Sequence, residues 1–322
     1  EKKDRVAAGA PESEAYVSGQ ELCEQFGVSR TAVWKAIGQL KKEGYVIEAV
    51  QNRGYRLLDQ TEEVYNQADI QSRLKTKWVA HPLQFFDSID STNIRAKLEA
   101  EQGAESGLLV VSDMQSAGRG RRGRGWESPA GINIYYTLML KPDFSSDCAP
   151  MLTLVMALAV AKGIRQTLRR DSEEAAAKVG IKWPNDIVVD GKKVCGILAE
   201  ALSESDTVLG YVVGIGVNIG KPDFPEEIAD IAGALSGGTQ LKFKLFEEIR
   251  VNFFASLNEA PQKLISYCTE KSYVIGKKTR YSGAADGFGT AAGLAENGGL
   301  IVDGDGGERI ILTGGEISVR ME

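Results

Sequence analysis

Residues 118–125 read GRGRRGRG, four arginines among four glycines in a chain whose formal net charge is −6. Glycine lets the backbone take positive φ and come close to a ligand, because no Cβ stands in the way. Arginine keeps its charge at any physiological pH, and its planar fork meets phosphate or carboxylate with two hydrogen bonds at once. A loop made of both is a clamp for an anion, most simply one that carries phosphate. Plainer readings are a flexible basic linker, or an RG-rich tract that binds RNA without a fold. The stretch lies between two apolar strand-like runs, 107–112 and 132–140, which argues against the RNA reading.

A second candidate lies at IKWPNDIVVDGKKVCGILAE, residues 181–200. Lys182 closes a strand-like run beside Trp183-Pro184, with Asn185 and Asp186 next to it. A lysine among apolar neighbours is costly unless an anion partners it, so a ligand phosphate or carboxylate fits there; a lysine reaching out to solvent is the plain alternative. One absence narrows the chemistry. His81 is the only histidine, and it reads as a surface or packing residue. A Ser-His-Asp or Cys-His mechanism has one candidate base, and a histidine-rich zinc site is excluded. No metal held by protein side chains is expected.

The elements that must position these groups can be read in order. At 322 residues, 43% hydrophobic and 25% charged, the chain can bury the cores of two or three domains. From Ser18 a capping box with Glu21 opens a helix that Gly27 stops, and Ser29 caps a second helix bearing Val33, Ile37 and Leu40. A short hairpin follows, so the segment predicts a winged helix-turn-helix over residues 1–62, with its linker. Only Glu1 to about Ala8 is left for a preceding helix, which Gly9-Ala10-Pro11 would stop early. Between Arg30 and Arg56 stand six basic residues against two acidic ones. Ser29, Arg30, Thr31, Trp34 and Lys35 would face a DNA groove, with Arg53 on the wing; contacts to protein alone are the other reading. Residues 59–66 read as a polar linker.

Residues 63–271 alternate strand and helix patterns, which predicts a mixed α/β domain. Ser91 or Thr92 caps a helix and leaves backbone N–H groups for an anion or carbonyl. Asp190-Gly191 marks a hairpin, residues 150–169 a buried helix, and Leu241–Cys268 a helical pattern with Phe243, Phe246, Ile249, Phe253 and Phe254 inward. Residues 272–322 offer short β runs, Tyr273–Ile275 among them, between Gly/Asp/Asn turns, and predict a small β-barrel. The longest apolar run, 151–161, falls short of the ~20 residues of a membrane span. Cys23, Cys148, Cys195 and Cys268 form no CxxC pair and read as reduced thiols of a cytoplasmic protein.

Taken together, Ser91-Thr92-Asn93, Gln115, GRGRRGRGW (118–126), KWPND (182–186), GKKVCGILAE (191–200), GIGVN (214–218) and GGEISVR (314–320) make nearly the whole chain resemble the bacterial biotin–protein ligases of the bifunctional type that also act as biotin repressors. The resemblance implies a ligase domain of the biotin/lipoate type and an SH3-like C-terminal barrel. It implies that biotin and ATP form biotinyl-5′-adenylate, with Mg²⁺ on the triphosphate, and that biotin passes to a lysine of a carboxylase carrier domain. It also implies operator DNA as a partner and a homodimer in the adenylate-bound state. Biotin's carboxylate is already ionised at pH 7, so the first step needs no general base, in keeping with a single histidine. By resemblance, Ser91, Thr92, Asn93, Gln115, Arg119, Gly120, Arg121 and Lys182 hold biotin. Gly118, Arg119, Arg121, Arg122, Trp126, Asn185, Lys193 and Asn218 attend the nucleotide, and Lys182, Arg119 and Arg121 carry the catalysis. The glycine-rich loop is expected to order on ligand. A ligand-sensing repressor without catalysis and a lipoate–protein ligase are the alternatives.

Overall fold

The structure, a computed structural model, describes residues 16–42, 45–58, 65–74, 79–141, 149–204, 207–220, 224–237, 239–257, 259–283 and 285–319. The chain divides into two compact units, Glu1–Thr76 and Lys77–Glu322. The short first helix, Glu1 to about Ala8, lies outside the described residues, as do most of the linker, Cys148 and the Phe254 side chain.

In the first unit, α1 (Gly19–Phe26) opens with the capping box: Ser18 Oγ accepts the Glu21 N–H at 3.0 Å and Glu21 accepts the Ser18 N–H at 2.9 Å. Gly27, at φ 61°, ends the helix in the left-handed conformation. Ser29 Oγ accepts the Ala32 N–H at 3.3 Å and so caps α2 (Arg30–Lys42). Leu22 of α1 and Val33, Ile37 and Leu40 of α2 meet Tyr45 in one buried cluster. The hairpin of β1 (Ile47–Val50) and β2 (Gly54–Leu57) follows. Tyr45 Oη reaches Asp69 at 2.9 Å, which seats α3 (Gln67–Arg73) in the same unit.

In the second unit a seven-stranded sheet runs in the order β3-β4-β5-β9-β8-β7-β6. Its strands are β3 (Leu83–Phe86), β4 (Leu109–Ser112), β5 (Ile134–Leu140), β6 (Val179–Lys182), β7 (Asp186–Val189), β8 (Lys192–Glu204) and β9 (Thr207–Val217). β3 and β4 are parallel and the other neighbours antiparallel. The parallel step is made through α4 (Thr92–Glu101). The β7–β8 turn is tight, with Asp190 at φ 52° and Gly191 at φ 77° as the Asp-Gly pair predicts. β5 and the middle of β9 are buried on both faces, because helices cover the sheet. α5 (Ala149–Arg169) is the largest of these. By length and composition its stretch Pro150–Arg169 would pass for a membrane span, yet two thirds of it is buried inside the fold, as suits a core helix. A short α6 (Glu173–Ala177) leads into β6.

Three expectations need correction. The helical stretch expected over Leu241–Cys268 is broken into two helices: α7 (Thr239–Leu257) and α8 (Pro261–Glu270). Pro261 has no N–H to continue a helix but suits the first turn of a new one. The run Tyr273–Ile275 is a bend: Tyr273 N–H donates to Ile181 O at 2.8 Å, so it edges the large sheet at one point only. The C-terminal strands β10 (Lys278–Ser282), β11 (Gly287–Leu294), β12 (Leu300–Gly304), β13 (Arg309–Leu312) and β14 (Glu316–Val319) form one sheet in the order β13-β12-β11-β10-β14. Among the described residues its edge strands β13 and β14 do not pair, so the sheet is not closed as a barrel. Gly315, at φ 130°, turns the chain so that β14 joins β10 instead of folding back on β13.

Candidate functional site

One cleft of about 750 Å³ gathers the sequence-derived residues. Ser91, Thr92, Asn93, Gln115, Arg119, Gly120, Arg121, Trp126, Lys182, Asn185, Lys193 and Asn218 all line it. Gly118 and Arg122 do not. Gly118 lies against Trp126 O and Ser128 Oγ, where a Cβ would come within 2.4 and 2.6 Å, so its missing side chain serves the loop's own packing.

The floor of one end is built around Gln115. Ser91 takes the N-cap position of α4 without a side-chain cap bond. The cap comes from across the sheet: Gln115 Oε1 accepts the Thr92 N–H at 2.9 Å and lies 3.1 Å from Thr92 Oγ1. That N–H is therefore satisfied by the protein, not left open as the cap pattern alone implies. Gln115 Nε2 donates to Ser128 Oγ at 3.0 Å. Thr137, fully buried on β5, lies 2.8 Å from Thr92 Oγ1 and donates to Asn93 Oδ1 at 2.6 Å. Asn93 Nδ2 donates to Glu200 at 2.8 Å and to Leu198 O at 3.3 Å, and Lys97 Nζ donates to Glu200 at 2.6 Å. With its amide bonded three ways into the protein, Asn93 shapes the cradle.

Burial pushes the Glu200 carboxyl up, but the Asn93 amide and the Lys97 ammonium together hold it below its ordinary value of 4.5. A depressed carboxylate contributes stability that is present above the unfolded pKa and is lost as pH falls through the folded one. Melting temperatures of the wild-type chain and Glu200→Gln should therefore differ by a constant amount near neutrality, and the gap should close as pH falls below 4.5. A gap unchanged down to about pH 3 would show that Glu200 is not held this way.

Above the floor, the arginine loop is a small hairpin of its own. Gly120 N–H donates to Arg124 O at 2.7 Å and Trp126 N–H to Gly118 O at 2.9 Å, with Arg122 at φ 56° at the tip. Arg121 Nη1 donates to Asn185 Oδ1 at 3.1 Å and to Gly315 O at 3.0 Å. Burial lowers its pKa, against Asp186 and Glu316, which raise it; its charge is thus costly without a further anion nearby. Arg122 and Arg124 turn instead to Glu316 of β14, at 3.8 and 3.0 Å. The Trp126 ring lies over strand glycines: a Cβ at Gly216 would meet its Nε1 at 2.4 Å, and one at Gly196 its Cζ3 at 2.9 Å. That indole Nε1 is buried and has no hydrogen-bond partner among the described residues.

Lys182 ends β6 opposite Asp186 of β7. Trp183 fixes the turn between them: it is 4% exposed and its indole N–H donates to Gly298 O at 3.0 Å. Among the described residues Lys182 Nζ makes no ion pair, whereas Lys193 Nζ stands 2.8 Å from Asp186 and 5.2 Å above the Trp126 ring. The far wall is Phe224, Pro225, Ile228, Ile231 and Ala232, with Glu316–Ser318 beside the arginines. Neither this wall, Thr137 nor Glu316 was singled out by sequence reasoning as part of the site. A wall of scattered apolar residues and a buried threonine carry no motif; GGEISVR was a signal for Glu316, though it gave no contact. The helix-turn-helix residues belong to the first unit: Ser29, Arg30, Thr31, Trp34, Lys35 and Arg53 are all exposed, Trp34 to 68%.

Fold and cleft define a protein ligase of the biotin/lipoate class preceded by a helix-turn-helix. Three family models match accordingly: an HTH domain at residues 12–56, the biotin/lipoate A/B protein ligase family at 85–218, and the biotin protein ligase C-terminal domain at 281–320. The bifunctional ligase/repressor BirA of Bacillus subtilis is 41% identical over 237 residues, 73% of this chain and 70% of that protein. That of Escherichia coli is 29% identical over 313 residues, 95% and 93% of the two chains. Among solved structures, the biotin protein ligase of Aquifex aeolicus in complex with biotin and ATP matches with a TM-score of 0.61 and 28% identity, covering 74% of this chain and 99% of that one. The chain belongs to the bifunctional biotin protein ligase/repressor family.

Proposed function

We propose that the chain joins biotin to ATP as biotinyl-5′-adenylate, releases pyrophosphate, and transfers biotin to a lysine of a carboxylase carrier domain. The observation that carries this is that one cleft holds both a neutral polar cradle and Lys182, Arg119 and Arg121. Ser91, Thr92 and Gln115 take the ureido end of biotin, with Asn93 shaping the seat. The carboxylate comes to Lys182. One of its oxygens attacks the α-phosphorus, the bond to the β-phosphate oxygen breaks, and pyrophosphate carries away the negative charge. Fixed cations aimed at that charge lower the barrier without moving a proton. In the second step the acceptor lysine's neutral amine attacks the acyl carbon and AMP departs.

Arg119, Gly120 and Arg121 cover the reacting groups. Trp126, Asn185, Asn218 and the wall at 224–232 make the nucleotide end, and the unpartnered indole N–H of Trp126 has a ligand acceptor to find there. Arg122, held by Glu316, and Lys193, held by Asp186, reach a phosphate only by exchanging those partners. Mg²⁺ belongs to this reading as a companion of the triphosphate. Asp186 is engaged by Lys193, and the described residues group no three carboxylate, cysteine or histidine side chains for a metal. The donor set suits an ion held by phosphate and water more than a protein cage.

The exposed face of α2 and Arg53 on the wing support binding to operator DNA, with the adenylate as corepressor and a homodimer as the DNA-bound form. The division at residues 1–62, 63–271 and 272–322, an SH3-like origin for the C-terminal sheet and a cytoplasmic location go with the same reading. Cys23, Cys195 and Cys268 are free thiols, as a reducing compartment would keep them. The deciding experiment is biotin-dependent exchange of labelled pyrophosphate into ATP, with lipoate in parallel. Exchange with biotin alone is expected. Exchange with lipoate alone would overturn biotin as the substrate, and exchange with neither would overturn the ligase assignment.

A further inference from the structure

The base of the arginine loop is closed by one side chain. Asp113 follows β4, and its Oδ2 accepts the N–H of Gly131 at 2.9 Å, tying together the two ends of the segment that carries Arg119, Arg121 and Trp126. The other oxygen, Oδ1, stands 3.4 Å from Lys242 Nζ. Lys242 is only 1% exposed. A lysine cation in such a place is costly unless an anion meets it. Burial lowers its pKa, while the charge of Asp113 and the hydrogen bond that Lys242 donates to it work the other way.

The position of Lys242 gives this pair its interest. It lies in the first turn of α7, directly after segment 224–237, whose apolar residues wall the nucleotide end of the cleft. That segment is fastened to the sheet by backbone bonds: Lys193 N–H to Ile231 O at 2.7 Å, Gly233 N–H to Lys193 O at 2.8 Å, and Gly237 N–H to Ile219 O at 2.9 Å. The arginine loop and the nucleotide wall thus come from distant parts of the chain, and both end at this contact, in which Lys242 is buried and Asp113 partly so. Neither Asp113 nor Lys242 lines the cleft itself.

We propose that Lys242 is a positioning residue of the ligase: through Asp113 it fixes the base of the arginine loop to the helix that follows the nucleotide wall, so that loop and wall keep one register across the cleft. The proposal rests on the ligase reading above for its catalytic consequence, but not for its structural one. Loosening the base displaces Arg119 and Arg121 without removing any group from the cleft. Small displacements of positioning groups cost rate steeply.

The test uses the full chain with Lys242→Met, which keeps the stem and removes the charge, and Lys242→Arg, which keeps the charge. Two quantities are read: the rate of tryptic cleavage within residues 119–124 with no substrate present, located by mass spectrometry, and kcat and KM in biotin-dependent pyrophosphate exchange. Lys242→Met should raise loop cleavage and lower kcat by about tenfold each, with the biotin KM changed far less, and Lys242→Arg should return both toward wild type. A lower melting temperature with wild-type loop cleavage and wild-type kcat would overturn the proposal. If Lys242→Met does not fold, Asp113→Asn keeps an acceptor for Gly131 but removes the charge facing Lys242. Faster loop cleavage in that variant supports the proposal, and wild-type cleavage overturns it. Absence of exchange in the wild-type chain would remove the ligase reading and leave the cleavage result to stand alone.

Discussion

Replacing Lys182 by alanine should slow adenylate formation by about 10²–10³-fold, the loss seen when one preorganised group that stabilises developing charge is removed. Biotin affinity should fall much less. The reason lies in what each state asks of the residue. On the reading proposed above, biotin in the ground state is held mainly by its ureido end in the cradle of Thr92 and Gln115. In the transition state a carboxylate and a phosphate, both anionic, are forced together at the end of β6, and a fixed ammonium matters most there. Lys182 suits this task because Trp183, locked to Gly298 O at 3.0 Å, sets the turn and no acidic side chain among the described residues pairs with its Nζ. Lys193, by contrast, is 2.8 Å from Asp186 and is partly neutralised. Single-turnover adenylate formation and equilibrium biotin binding, measured on the same variant, separate the two effects. Equal loss of both would make Lys182 a general binding residue and remove its catalytic role.

Legibility in the sequence followed the kind of physics involved. Local chemistry was readable. The Ser18–Glu21 capping box, the Gly27 stop, the Asp-Gly turn at 190–191 and the alternation that gives the mixed sheet depend on near neighbours, and the structure has them. The arginine loop and Lys182 could be named because residue type and spacing confine what they do. Long-range satisfaction was not readable. Ser91 looks like a helix cap, but Gln115 accepts the N–H of Thr92 from 23 positions away. Thr137 carries no motif, yet it holds Thr92 and Asn93 together. Arg122 looks like part of the clamp, and Glu316 on β14 takes it. The small barrel is read from strand count and spacing; that β14 pairs with β10 and not with β13 is a long-range choice, which a run of short strands does not disclose.

Gly214→Ala should damage the site more than any other single methyl group added to the sheet. Gly214 on β9 pairs with Thr137 on one side and Leu198 on the other, and the Asn93 side chain sits directly over it. A Cβ there would lie 2.0 Å from Asn93 Oδ1, 2.9 Å from its Cγ and 3.1 Å from its Nδ2. Asn93 cannot swing away cheaply: it is 5% exposed and bonded to Thr137, Glu200 and Leu198 O. Relief therefore means breaking those bonds and shifting the N-terminus of α4, which carries Thr92 and Ser91. Overpacking of this kind costs about 1–3 kcal/mol, and buried polar groups of the cradle left without partners add to it. Biotin affinity should fall by about 100-fold or more, roughly the 1.4 kcal/mol per tenfold of two such steps. Gly216→Ala is the contrast, since its Cβ meets Trp126, which belongs to the loop and can lift away; that variant should alter the nucleotide end and spare biotin. The double variant Gly214→Ala with Asn93→Ala separates clash from cradle. Removing the amide makes room for the methyl group, so the melting temperature should recover while biotin affinity stays low. Wild-type biotin affinity in Gly214→Ala, measured by calorimetry, would mean that the Asn93 seat does not shape the biotin site at all.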